Sequence, residues 1–348
     1  MHSRFARFAL LIALTILSVG GLHIRYRNIS QNIAMMPLQL DPAHPGERRL
    51  GELIFLKAWE LGSGNDDFGG ISSLAILPDG RFVGVSDAGT LIGFGLSNDD
   101  RTDRPFIAPL PGTEGSEPGS KVGYEFRDSE GMTHNPATGQ YWVSFESMNA
   151  IRRYSPSFAR VERVVKPALM KGWSYNSGPE AIVRMADGRF VVFSEASKGK
   201  GETYAAILFS GDPVEPGTVA HAFRYRPPAG YKTTDITQLP DGRLMLLHRK
   251  IALPYGLFAA KLAIVDPDDI RPGATVSGHL VATLASPLLV DNMEGIAASK
   301  DGGDTIIWLI SDNNFNILER TLLMKFRLSE KKAAKKPEAV AAPGFESL

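Results

Sequence analysis

The sequence predicts an all-β protein, a β-propeller with six four-stranded antiparallel blades around a central channel. First, one pattern recurs at 69–89, 128–147, 178–197, 234–250 and 292–314: an apolar strand, a turn and a second β-rich strand. Second, the copies lie roughly 50–60 residues apart, which is typical of propeller blades. Third, the 348 residues include 35 Gly and 23 Pro, enough turn formers for many short strands.

Each repeat is expected to be a β-hairpin. Asp-Gly stands between the two strands at Asp79, Asp187 and Asp241. This pair indicates a tight hairpin because Gly accepts positive φ. Thr138-Gly139 and Gly302-Gly303 occupy the same place in the other two repeats. Further strands are predicted between the hairpins, at 90–95, 150–154, 205–209, 259–265 and 322–328, with loops at 111–123 and 223–232.

The number of blades depends on the first strand of the chain. Five repeats are visible, and the strand predicted at 51–61 would form a sixth blade together with the C-terminal strands. Seven blades and a β-sandwich array are the alternatives that the pattern leaves open. No segment between residues 50 and 328 shows the apolar period of an amphipathic helix.

Four regions are predicted along the chain. Residues 1–22 form a signal peptide or a membrane anchor, because Arg4 and Arg7 precede an apolar run from Phe8 to Val19. Residues 23–49 are polar and form a linker, residues 50–328 form the propeller, and residues 329–348 form a disordered tail. The protein is therefore expected to be exported, to the periplasm or outside the cell, with a membrane tether if the first segment remains.

Composition excludes several classes of partner and of chemistry. Lys plus Arg and Asp plus Glu both total 38, so the chain has no net positive charge that would favour binding to nucleic acid. The absence of cysteine excludes disulfides, thiol catalysis and cysteine-ligated zinc. The G-x-S-x-G motif of serine esterases is also absent. We expect a monomer with a small-molecule partner.

Acidic residues recur at both ends of the predicted inner hairpins. In a propeller these ends lie at one face of the disc, so the side chains are expected to meet at one channel mouth. The strand starts carry Gly70, Glu130, Glu180, Asp235 and Glu294, and the strand ends carry Asp87, Glu146, Glu195, Arg249 and Asp312.

Carboxylates this close repel one another unless they are protonated, paired or bridged by a cation. Calcium accepts six to eight oxygen ligands with tolerant geometry, whereas the scarcity of histidine disfavours zinc and iron. The alternative is that the acids only cap turns and pair with nearby Arg and Lys. The predicted calcium ligands are Asp67, Glu130, Glu180, Glu294 and Asp312, with amide oxygens of Asn176, Asn292, Asn313 and Asn314 nearby.

These motifs resemble a known family. FGGISSLAILPDGRFVGVSD, DSEGMTHNPATGQYWVSFES, GPEAIVRMADGRFVVFSE, DITQLPDGRLMLLHRK, NMEGIA and WLISDNNF together are similar to the phytase-like domain family. The resemblance covers about residues 50–328. It implies a propeller, export from a bacterial cell and hydrolysis of a phosphate ester, by analogy with calcium-dependent propeller phytases.

Three functional hypotheses follow. The first is an exported, calcium-dependent hydrolase of phosphate or carboxylic esters, with Glu130, Glu180 and Arg249 as catalytic residues. The cation would polarise the substrate and activate water, while Arg249 would bind an anionic group. The second is a lactonase of the gluconolactonase kind. The third is a binding or scaffold propeller that holds only a structural ion.

Overall fold

The computed structural model describes residues 27–113, 123, 126–198, 202–254 and 257–329. The predicted signal or anchor segment, most of the loop at 111–123 and the predicted tail from residue 330 lie outside the described residues. The described part is almost entirely β-structure, with three single 3-10 turns at Pro156–Phe158, Ala168–Met170 and Pro267–Asp269. None of its helical turns has the length or apolarity of a membrane-crossing helix.

The chain begins with strands that belong to its last blade. They are β1 (Ala34–Leu38), β2 (Arg49–Leu50) and β3 (Leu53–Gly62). β1 and β2 both pair with β3, although the sequence predicted a linker over residues 23–49. Most residues of β1 are exposed, so this strand lacks the apolar periodicity by which a strand is predicted from sequence.

Five antiparallel sheets then follow one another as blades I to V. Blade I contains β4 (Ile71–Ile76), β5 (Phe82–Ser86), β6 (Thr90–Leu96) and β7 (Thr102–Pro109). Blade II contains β8 (Ser129–His134), β9 (Tyr141–Phe145), β10 (Ala150–Tyr154) and β11 (Val161–Val165). Blade III contains β12 (Pro179–Arg184), β13 (Phe190–Lys198), β14 (Tyr204–Phe209) and β15 (Ala220–Tyr225).

Blade IV contains β16 (Lys232–Gln238), β17 (Leu244–Ile251), β18 (Phe258–Val265) and, after β19, β20 (His279–Ala285). The short strand β19 (Thr275–Val276) adds to blade III beside β15. Blade V contains β21 (Met293–Asp301), β22 (Asp304–Ser311) and β23 (Thr321–Leu328). The predicted loop at 223–232 is shorter than expected, because β15 continues to Tyr225.

The propeller has five blades, so the prediction of six is corrected. β3 pairs with β23 over its whole length, from Leu53↔Leu328 to Leu61↔Thr321. The first long strand of the chain therefore supplies the fourth strand of blade V and starts no blade of its own. This pairing joins the two ends of the fold and closes the ring.

The innermost strands β4, β8, β12, β16 and β21 each contact the next, and β21 contacts β4, so they line a closed axis. The apolar core lies between the blades as five buried clusters, one for each pair of neighbours. We call the face at which the innermost strands start the mouth face. The Asp-Gly turns lie at the opposite face, where Asp79, Asp187 and Asp241 each accept a hydrogen bond from the backbone N–H of the arginine two positions on.

Candidate functional site

Each of the five innermost strands carries a β-bulge near its start. The pairing register with the second strand shifts once in each, for example between Pro179 and Ala181 in β12. A bulge leaves an extra residue without a ladder partner and re-aims its side chain. The residues that lie between the paired residues at the five register shifts include Ser72, Glu130, Glu180, Thr234 and Glu294.

The second strand of each blade ends beside this bulge. The backbone N–H of Asp87, for example, donates to the carbonyl of Gly70, and that of Glu195 donates to Gly178. The equivalent residues of the five blades are Asp87, Glu146, Glu195, Arg249 and Asp312, the set that the sequence placed at the strand ends.

The two sets meet in a cavity of about 270 Å³ at the mouth face. Seven of its described lining residues are acids, and two are cations. The lining consists of Ser72, Asp87, Glu130, Glu146, Asn176, Glu180, Glu195, Lys232, Arg249, Glu294, Asp312 and Asn314.

The closest group of acids belongs to blade II. One carboxylate oxygen each of Asp128, Glu130 and Glu146 lies within 4.8 Å of the other two. Asp128 is held in place by the backbone N–H of Ser147, 2.8 Å from its Oδ2, and by the hydroxyl of the same serine. This triad presents three oxygens to one point, which suits a hard cation.

Blade V supplies a second group of oxygens. Glu294 Oε2 and Asn292 Oδ1 are both buried, and neither has a hydrogen-bond partner among the described residues. Glu294 and Asp312 are 6% and 4% exposed. Buried acceptors without donors are costly, so these oxygens also suit a cation.

The two cations of the cavity lie on blade IV. Arg249 Nε lies 2.6 Å from Glu294 Oε1, and Lys232 Nζ lies 2.8 Å from Glu195 Oε2. Arg249 Nη2 also lies 3.7 Å from Glu195. Blade IV thus faces the acids of its neighbours with positive charge, which leaves blade II as the most negative side of the cavity.

The carboxyl groups of the cavity are hard to ionise together. Burial, with the negative charge of Asp312 and Asp128, raises the pKa of Asp87 to about 7. Burial and the charge of Asp128 and Glu195 raise the pKa of Glu146 to about 8.

The same effect extends to the other acids. Burial raises the pKa of Glu294 to about 8, although Arg249 opposes the rise, and raises the pKa of Asp312 to about 6. Burial and neighbouring carboxylates place the pKa of Glu130 and of Glu180 well above the ordinary value. Near neutral pH the cavity therefore holds protons or requires a cation.

Three residues predicted at the mouth do not line the cavity. Asp67, a predicted calcium ligand, forms an ion pair with Arg27 at 2.5 Å and does not line the cavity. Gly70 lies two positions before the bulge of β4, where Ser72 stands instead. Asp235 lies one position after Thr234 and points away from the cavity. A bulge shifts the register by one residue, so alignment by sequence alone misplaces these two.

Asp235 closes the axis below the cavity. Its Oδ2 accepts hydrogen bonds from Ser73 Oγ at 3.1 Å and from the backbone N–H of Ile296 at 2.9 Å. Ser73 Oγ in turn accepts from the backbone N–H of Met132 at 3.1 Å. One carboxylate on blade IV thus connects blades I, II and V, and burial raises the pKa of Asp235 well above its ordinary value.

Sequence reasoning missed Lys232 and Ser72 as lining residues. Both become visible once the repeats are aligned on the bulge. Lys232 then occupies the place of Asp128 and Asn292, and Ser72 occupies the place of Glu130. The signal was present in the sequence, but it depends on a one-residue shift that only the strand pairing defines.

Comparison with known proteins identifies one family. A family model described as phytase-like, esterase-like activity of phytase, matches residues 66–315. No curated protein matches the chain significantly.

Several solved structures are similar to the chain. The Malassezia sympodialis allergen Mala s 1 is 13% identical, with a TM-score of 0.44, over 84% of this chain and 96% of that one. A nidogen/laminin complex is 9% identical, with a TM-score of 0.40, over 86% of this chain and 100% of that one. Kuenenia stuttgartiensis hydrazine synthase is 11% identical, with a TM-score of 0.37, over 73% of this chain, which spans only 60% of that one.

Proposed function

The chain belongs to the phytase-like family, and from that membership and the acidic cavity we propose that it is a calcium-dependent hydrolase of phosphate esters. The observation that supports this most directly is the convergence of seven carboxyl groups on one cavity of about 270 Å³. Their raised pKa values mean that the cavity is destabilised near neutral pH unless a cation or protons neutralise it.

The oxygen atoms that face the cavity fit calcium as ligands. The Asp128, Glu130 and Glu146 triad would hold one ion, and the unpartnered oxygens of Glu294 and Asn292 would accept a cation on the other side. Glu180 and Asp312 supply further carboxylate oxygens to the same cavity. Calcium tolerates such irregular oxygen sets, whereas zinc prefers nitrogen and sulfur ligands that this cavity lacks among its described residues.

The remaining residues would bind and protonate the substrate. When bound, calcium supplies polarisation of the phosphoryl oxygen and a more acidic water. Arg249 and Lys232 would bind the phosphate oxygens, because they are the two cations in the cavity lining. Burial beside Glu130 raises the pKa of Glu180 well above its ordinary value, and this fits a residue that donates a proton to the leaving oxygen. Two cations suit an ester that carries a single phosphate.

We also propose that the protein works outside the cytoplasm. The basic residues Arg4 and Arg7 and the apolar run after them have the layout of an export signal. Fusion of residues 1–49 to a reporter that is active only after export would test this. Reporter activity supports export, and its absence contradicts it.

Metal content and hydrolysis should be measured on the same purified protein. The expected result is bound calcium, hydrolysis of p-nitrophenyl phosphate, and loss of activity with a chelator that added calcium restores. Glu130→Gln and Glu294→Gln should each weaken calcium binding by at least about tenfold. Asp79→Asn is the matched control, because Asp79 lies in an exposed turn at the opposite face.

Other outcomes separate the alternatives. Calcium that raises stability without turnover of any ester would indicate a scaffold with a structural ion. Turnover of lactones but not of phosphate esters would indicate a lactonase. Activity that a chelator leaves unchanged, in a protein without bound metal, would contradict the proposed mechanism.

A further inference from the structure

Exposed apolar side chains are concentrated at the mouth face. Of the fourteen large hydrophobic side chains that are exposed among the described residues, ten lie on the loops or at the strand ends of this face. Six of them lie on two loops or at the strand end that enters one of them, and we call these six the apolar rim. The apolar rim consists of Ile251, Leu253, Leu257, Phe315, Ile317 and Leu318.

The two loops belong to neighbouring blades. One loop connects β17 to β18 in blade IV, and the other connects β22 to β23 in blade V. Ile317 is 99% exposed, Leu318 76%, Leu253 67% and Ile251 66%. A soluble protein rarely leaves several large aliphatic side chains together in water unless they contact a partner or a membrane.

The apolar rim borders the acidic cavity. Arg249 and Asn314 line the cavity and lie within three positions of Ile251 and Ile317 in their loops. Whatever covers the apolar rim therefore lies against the opening of the cavity. Lys250 places positive charge beside Ile251, and Arg320, which pairs with Asp291 at 3.3 Å, follows Leu318 and Glu319 in the other loop.

The chain also enters the propeller beside the apolar rim. Asn313 Oδ1 accepts from the backbone N–H of Gly70 at 3.2 Å, which joins the blade V loop to the loop before β4. In that second loop, Asp67 binds Arg27, the first described residue. The apolar run that ends at Val19 precedes Arg27 by only eight positions. A bilayer that received this run would lie close to the mouth face.

We propose that the mouth face docks on a lipid bilayer, with the apolar rim inserted at the interface. The docking brings the cavity against lipid head groups, so the ester that it hydrolyses is a phosphate ester of a lipid, a step that rests on the proposed function. Aliphatic tips flanked by Lys and Arg are the usual composition of a surface that lies in a bilayer interface.

The absence of cysteine makes insertion directly measurable. Ile317→Cys and Leu253→Cys, made separately in the full chain, would each carry one polarity-sensitive fluorophore. Val219→Cys is the matched control, since Val219 is 51% exposed in the connection before β15, away from the mouth face. With vesicles of phosphatidylcholine and phosphatidylglycerol plus calcium, we expect a blue shift and quenching by lipid-borne quencher at 317 and 253, and neither at 219.

A double variant separates docking from catalysis. Ile317→Ser with Leu318→Ser should weaken vesicle binding by at least about tenfold, since two apolar side chains no longer leave water. Hydrolysis of p-nitrophenyl phosphate should remain at the wild-type rate, while release of inorganic phosphate from phosphatidic acid, a lipid phosphomonoester added to the same vesicles, should fall by a similar factor.

Two results would overturn the docking proposal. One is a fluorophore at 317 that stays in water while the chain sediments with vesicles. The other is a fluorescence change that depends on protein concentration and occurs without vesicles, which would mean that a second copy covers the apolar rim. Docking with no hydrolysis of soluble or lipid phosphate esters would instead contradict the proposed function and leave the docking intact.

Discussion

Two buried ionisable side chains show at the residue scale how this propeller tolerates charge in its interior. Asp235 is 1% exposed at the axis and accepts hydrogen bonds from neighbouring blades. His248 is fully buried in blade IV, where Nε2 lies 2.9 Å from the Tyr225 hydroxyl and Nδ1 lies 3.2 Å from the Lys261 carbonyl. The polar atoms of both side chains have hydrogen-bond partners within the protein. Replacing either residue should therefore lower the free energy of unfolding more than replacing an exposed Asp or His.

Removal of the axial carboxylate should destabilise the fold. Asp235→Ala leaves the hydroxyl of Ser73 and the backbone N–H of Ile296 without their acceptor, and we expect the free energy of unfolding to fall by about 3 kcal/mol. Urea denaturation measures it. Asp241→Ala, in the exposed turn of the same blade, is the control and should cost about 1 kcal/mol or less. Equal losses in the two variants would contradict the role of Asp235 in joining the blades.

His248 should make stability depend on pH below neutrality. Burial lowers the pKa of His248 to about 4, from an ordinary value of 6.5. Between these values the unfolded chain binds more protons than the folded protein, so the free energy of unfolding rises with pH across this window. The contribution is about 3 kcal/mol, and it is complete above the ordinary value.

The measurement is urea denaturation of wild type and His248→Gln at several pH values between about 4 and 7. The stability difference between the two proteins should change with pH, because only wild type loses stability on acidification through this group. His221→Gln, on exposed residue 221 of β15, is the matched control and leaves the buried pair intact. Parallel curves for wild type and His248→Gln would refute the assignment.

At the element scale, the repeated bulge positions the site. It turns Glu130, Glu180 and Glu294 toward the mouth, and small residues after the bulge let the innermost strands approach one another. Gly131 shows how close this approach is. A Cβ there would collide with the carbonyl oxygen of Glu180 and lie 3.0 Å from the backbone nitrogen of Ile182.

The bulge also defines what the sequence could and could not predict. Alternation and Asp-Gly turns predicted the hairpins, and the ends of the second strands were correct because those strands pair without interruption from the turn. The first strands were misaligned at Gly70 and Asp235, because an extra residue in a bulge leaves no signature in apolar periodicity. Outer strands such as β7 were missed because few of their residues are buried.

Gly131→Ala should therefore affect both stability and the cavity. We expect a loss of about 2 kcal/mol in the free energy of unfolding, since backbone atoms of β12 must move. The displaced strand carries Glu180, so calcium binding measured by titration calorimetry should weaken as well. Gly303→Ala is the control, because a Cβ at Gly303 meets no atom within 4 Å. Similar behaviour of the two variants would show that the close approach is not required.

At the scale of the whole molecule, closure between distant parts of the chain decides the architecture. β3 and β23 are separated by most of the sequence, yet they pair along their whole length. The sequence predicted that the strand at 51–61 joins the C-terminal strands, but it counted them as a blade separate from the repeat at 292–314, and this is why six blades were expected. Closure with five blades makes the ring narrow, so the acids of all blades crowd together at one mouth.

This crowding should make the stability of the whole propeller depend on pH and calcium together. In chelator, Asp87, Glu146 and Glu294, with pKa values of about 7 to 8, bind more protons when folded than when unfolded. The free energy of unfolding should therefore fall as pH rises from about 6.5 to 8.5. Under the proposed function calcium would replace those protons, so it should raise the Tm strongly at the upper pH and weakly at the lower one. Differential scanning calorimetry in chelator and in calcium measures both effects.

Glu146→Gln should reduce the dependence of the Tm on pH and on calcium, and the control Asp79→Asn should not. A Tm in chelator that stays constant or rises over this pH range would contradict the proposed state of the cavity.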